Sequence, residues 1–103
     1  MAYKTKRARA TDISPRVRKI VHERDRYRCI FCGSTYRIEL AHIISRSKGG
    51  LGIEQNLVCA CQKCHRNMDS ESEFGKELRK RAKHYLEFIY GEIDESEMKY
   101  KHD

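Results

Sequence analysis

The sequence predicts a small α+β domain, and three features predict it. Two Cys-x-x-Cys pairs, Cys29/Cys32 and Cys61/Cys64, are separated by residues 33–60. Strand-like stretches adjoin the pairs: in YRIELAHII (36–44) Tyr36, Ile38, Leu40 and His42 fall on one face, and NLVCA leads into the second pair. Helical periodicity lies outside them, with Val17, Ile20 and Val21 before the first pair and Phe74, Leu78, Ala82, Tyr85, Leu86 and Ile89 after the second.

A chain of 103 residues, 39% hydrophobic and 36% charged, makes one domain with a thin core. A domain this small buries only about 60–65% of its unfolded surface and needs a staple. Four cysteines in two close pairs fit one tetrahedral zinc ion, because two intervening residues let both thiolates of a pair reach the same ion. Disulfides or buried free thiols are the alternatives. The N-terminus, MAYKTKRARATD, lacks the apolar stretch of a signal peptide, which favours a reducing, cytoplasmic setting where such pairs hold metal. Cys59, inside LVCA, reads as a buried core thiol. No apolar run is long enough to span a membrane.

The net charge of +7 is uneven. Residues 1–50 carry 13 Lys/Arg against 4 Asp/Glu, a balance of +9; residues 51–103 carry 9 against 11, a balance of −2. A basic half suits a polyanion, nucleic acid above all, against the plainer alternative of a solvated surface.

Taken in order, residues 1–12 read as a flexible, extended basic segment whose Lys4, Lys6, Arg7 and Arg9 could follow a phosphate backbone. Ser14-Pro15 starts a helix to about Arg24, with Ser at the N-cap and Pro at the first position. Tyr27 to Phe31 reads as a short strand, and Gly33 as the turn of a metal knuckle. Residues 45–52, SRSKGGLG, form a loop. A helix begins at about Gln62, and an amphipathic one spans Glu73–Tyr90, ending at Gly91. Its apolar stripe could pack on its own core or pair two copies, so monomer and homodimer are both open. The organisation expected is a single domain over 13–91 and a frayed polar tail over 92–103.

From RDRYRCIFCG through LAHIISRSKGG and NLV to CQKCHRNMD, residues 24–69, the chain resembles the HNH endonucleases. The preceding SPRVRKIVHERD resembles the helix that leads into that motif. The resemblance implies a ββα-metal (His-Me finger) fold, stapled by a structural zinc on Cys29, Cys32, Cys61 and Cys64 and flanked by helices. It implies catalytic roles for His42 as general base, Asn56 as the loop-restraining residue that helps orient it, and His65 as ligand of a catalytic divalent ion such as Mg²⁺, Mn²⁺ or Ni²⁺. The activity implied is hydrolysis of DNA phosphodiesters, by nicking or double-strand cleavage, leaving 5′-phosphate and 3′-hydroxyl ends. Arg46 and Lys48 are the candidate phosphate contacts. Compact proteins that look like this occur in phages and prophages, which suggests phage packaging proteins as partners.

One position departs from the family pattern. The residue before the base is commonly Asp, Glu or His and ligates the metal; here it is Ala41. Asp69, four residues after His65 on one helix face, is the favoured substitute. Glu39, on the same strand face as Ala41, is the other. The departure also opens a rival reading, a zinc-containing DNA-binding module of HNH descent without cleavage. A protein-interaction zinc finger is a third.

Overall fold

Two antiparallel strands, β1 (Ile38–His42) and β2 (Leu57–Cys61), form the sheet in register from Ile38↔Cys61 to His42↔Leu57 in a computed structural model that describes residues 5–101. Alternation sorts their side chains. Glu39, Ala41, Val58 and Ala60 face one way; Ile38, Leu40, His42, Leu57 and Cys59 face the other. Both sides are covered, so all five residues of β2 are buried. Helices α3 (Gln62–Met68) and α4 (Glu73–Tyr90) bring Met68, Leu78, Ala82 and Leu86 onto Ala41, Val58 and Ala60. Helix α2 (Pro15–Arg24) brings Val17 and Val21 onto Leu40, Leu57 and Cys59. The fold is the small α+β arrangement expected, with ββα order in β1, β2 and α3.

Local chemistry sets the helix limits. Ser14 Oγ accepts from Val17 N, and Ser72 Oγ accepts from Gly75 N. Both α2 and α4 occupy the spans their periodicity predicts, and α4 stops at Gly91. The Arg79 guanidinium donates to the carbonyls of Met68 and Ser70, closing the C-terminus of α3 against α4.

A buried ion pair seals the outer edge of β2. Arg24 and Asp25 meet at 2.8 Å, and the Asp25 carboxylate also accepts from Cys59 N at 2.8 Å and Tyr85 Oη at 2.5 Å. Arg24 donates to the carbonyls of Glu54 and Leu57. One pair thus ties α2, β2 and α4, and the strand edge keeps no unpaired backbone there. Burial, then the Asp25 carboxylate, pushes the Tyr85 hydroxyl up to about 12.

Four expectations are corrected. Tyr27–Phe31 is a turn, because Arg26 and Tyr27 are both left-handed, at φ 58° and 56°, and a strand cannot run through them. A left-handed Arg37, φ 51°, likewise delays β1 to Ile38. Residues 1–12 were expected to be extended, yet Lys6–Thr11 forms helix α1, capped by Thr5 Oγ1 on Ala8 N; Lys4 lies outside the described residues. The tail is docked as far as it is described: Glu95–Met98 makes a 3-10 turn, Met98 is buried, and Tyr100 N donates to Gly49 O at 2.7 Å. No helix among the described residues is long and apolar enough to cross a membrane.

Candidate active site

The sulfurs of Cys29, Cys32, Cys61 and Cys64 lie within 4.8 Å of one another, with Cys32 and Cys61 at 3.7 Å. A tetrahedral zinc with Zn–S bonds of about 2.3 Å needs S···S edges of about 3.8 Å, so the tetrad fits the ion. The knuckle is held by Gly33 N on Cys29 O at 2.9 Å and Cys29 N on Ser34 O at 2.9 Å. Burial pushes the Cys29 thiol up, but backbone N–H groups of Cys61, Cys32 and Phe31 outweigh it and bring it down to about 7. Burial raises Cys64 and drives Cys59 up to about 12. Cys59 is fully buried beneath α2, a core thiol as expected.

His42 ends β1 and is nearly buried, at 9% exposure. Its Nε2 lies 2.9 Å from the carbonyl of Thr11. A carbonyl only accepts, so Nε2 carries the hydrogen and the neutral ring's lone pair is on Nδ1. Burial lowers the His42 pKa, and the charges of Arg46 and His65 push it the same way against the Thr11 hydrogen bond. Both effects keep the imidazole neutral, the form that can accept a proton.

Asn56 stands behind His42 and closes the loop that follows. Its Oδ1 accepts from Ile44 N at 2.9 Å, its Nδ2 donates to Leu51 O at 2.9 Å and Ile44 O at 3.2 Å, and its carbonyl accepts from Ile43 N. At 1% exposure it satisfies a loop whose backbone would otherwise be left unpaired.

His65 lies on α3, on the other side of β1. Its Nδ1 is 2.8 Å from Glu39 Oε1, and its Nε2 is 3.4 Å from Asp69 Oδ2. Ala41 is wholly buried on this same strand face, in the cluster that holds Met68. Glu39, two residues earlier, is therefore the carboxylate of β1 that reaches α3. Among the described residues, only the cysteine tetrad already converges as a group of three or more metal-ligating side chains.

Although they lie on opposite faces of β1, His42 and His65 open onto one cleft of about 1040 Å³ at the strand's end, together with Asp69. Arg18, Arg46, Lys48, Arg79, Lys80, Lys83 and Lys99 outnumber Asp69, Glu71 and Glu95 along it. Residues 29–71 match the family model of the HNH endonucleases.

That stretch is similar to an HNH endonuclease domain.

The matched stretch pairs a ββα core with a four-cysteine cluster shaped for zinc. No curated protein matches the chain. Several residues singled out in the sequence gather here: His42, His65, Asp69, Arg46 and Lys48 line the cleft, and Asn56 holds the loop that follows His42, while Cys61 of the tetrad lies at the other end of the sheet, opposite Ile38. Arg46 is not a free cation, since its guanidinium is paired with the Asp12 carboxylate. Sequence reasoning missed Thr11, which meets His42 through its backbone carbonyl and so leaves no side-chain signal. Of the two carboxylates considered for the metal, Glu39 lies 2.8 Å from His65 Nδ1 and Asp69 lies 3.4 Å from its Nε2.

Proposed function

We propose that this chain is a metal-dependent DNA endonuclease of the HNH type. What supports the reading most is the placement of His42, neutral and tied by Nε2 to a carbonyl, in one cleft with His65. His42 Nδ1 takes the proton of a water molecule as the water's oxygen forms its bond to phosphorus. The bond to the 3′ oxygen breaks, and the products carry 5′-phosphate and 3′-hydroxyl ends. Asn56 keeps the 44–51 loop from drifting across the base. His65, with Glu39 and Asp69, would hold a divalent cation such as Mg²⁺, Mn²⁺ or Ni²⁺, which when bound stabilises charge on the scissile phosphate. Lys48 and the cations along the cleft receive the DNA backbone, and Arg46 joins them from its pair with Asp12. The cysteine tetrad holds zinc as a structural ion.

Incubation of supercoiled plasmid with the protein and each of the three cations tests this. Cleavage is expected, and it is expected to vanish in His42→Ala. Cleavage that survives the substitution removes His42 as base. A second reading, a DNA-binding module that does not cut, draws on the buried Ala41; DNA binding without cleavage under every cation would select it.

A further inference from the structure

The carbonyl on which His42 depends comes from a different part of the chain, 31 residues earlier, at the end of α1. Something must hold that segment against the 44–52 loop, and three attachments do. The Asp12 carboxylate is paired with the Arg46 guanidinium. The Arg7 guanidinium donates to Ser47 O at 2.6 Å. Gly52 N donates to Ala10 O at 2.9 Å, and a Cβ on Gly52 would collide with the Asp12 carbonyl. Both ends of the short helix are thereby clasped to the loop that leaves His42.

We propose that Asp12 is a positioning residue for His42: by gripping Arg46 it keeps the Thr11 carbonyl on Nε2, so that Nδ1 is the nitrogen offered to water. The proposal rests on His42 being the base. The Asp12–Arg46 pair is partly solvated, with side-chain exposures of 26% and 53%, and pairs of that kind add little to global stability. Its value is geometric. Asp12 adjoins the accepting carbonyl, and Arg46 sits four residues beyond the base, so the clasp fixes the distance between acceptor and ring. A misplaced base costs rate far more than binding. Arg46 therefore does more than line the cleft: it anchors the segment that sets the histidine's tautomer.

The test compares the full chain with Asp12→Asn and Asp12→Glu. In the parent, the His42 Nε2 hydrogen, buried and bonded to a carbonyl, should give a slowly exchanging imidazole N–H signal in ¹⁵N-resolved spectra. Asp12→Asn should broaden or erase that signal and lower kcat at least tenfold, with KM on plasmid DNA within about twofold and the melting temperature nearly unchanged; Asp12→Glu should recover most of both. Asp12→Asn and Arg46→Ala should combine non-additively in kcat. Retention of signal and kcat in Asp12→Asn overturns the proposal, as does a loss that follows unfolding. If the parent never cleaves DNA, the nuclease reading falls, and the imidazole signal still decides whether Asp12 holds Thr11 on the ring.

Discussion

The Glu39 carboxylate lies 2.8 Å from His65 Nδ1, reaching α3 from the strand position two residues before Ala41. A strand presents alternate residues on one face, so Glu39 is the carboxylate that β1 offers nearest to Ala41 on that face. Glu39→Gln is expected to weaken the catalytic cation about 10- to 100-fold, the range seen when a partner of a metal-bound histidine is removed. Asp69→Asn, at 3.4 Å, should weaken it less. Mn²⁺ titration of cleavage, with isothermal calorimetry beside it, ranks the two; a larger effect at Asp69 would make it the principal partner.

His42→Ala should reduce cleavage by at least about 100-fold, the usual contribution of a positioned general base. Zinc content and DNA affinity should stay near the parent's, since the four sulfurs belong to other residues and the cations along the cleft remain in place. Comparable losses in binding and cleavage would mark His42 as structural.

The pH profile follows from the direction of the His42 shift. Burial first, then the charges of Arg46 and His65, depress its pKa. The ring is inactive when protonated, so kcat/KM should hold steady as pH falls to the ordinary histidine value of about 6.5 and decline only below it. An acid limb centred at or above about 6.5 contradicts the burial seen here.

Removal of the structural ion should unfold the domain. With four sulfurs preset at zinc spacing and a thin core, binding energy is folding energy. One zinc per chain is expected by atomic absorption. Cys64→Ser, or a strong chelator, should abolish the cooperative melt followed by circular dichroism. A sharp transition without zinc would show that the apolar clusters suffice.

Asp25→Ala leaves Arg24 buried without its counter-charge and orphans Cys59 N and Tyr85 Oη. Breaking such a pair costs about 3–5 kcal/mol. In a domain of this size that lowers the melting temperature by at least about 12 °C. A fall of only a few degrees would mean that water enters and solvates the guanidinium.

Much of the domain was legible in local signals. Ser14-Pro15 and Gly91 bound their helices because caps act within a few residues. The cysteine pairs announced the four-sulfur cluster because two thiolates that share one ion require that spacing. His42 and His65, singled out by their imidazoles, both line the cleft, and Asn56 holds the loop beside it. The stretch Tyr27–Phe31 is no strand because its apolar propensity yields to the backbone turning at Arg26 and Tyr27, which bond back to Glu23 and His22 where α2 ends.

Other features belong to the tertiary structure alone. Thr11 serves His42 by a backbone carbonyl that every residue possesses, so no residue type could betray it. The docking of α1 and of Met98 depends on distant loop residues, against which polar segments find partners that their own composition does not contain. The sequence by itself determined which side chains can bind metal and move protons, because those powers are intrinsic to imidazole, thiolate and carboxylate. Only the fold decided which nitrogen of His42 is free and which carboxylate meets His65, because both are set by distances between segments remote along the chain.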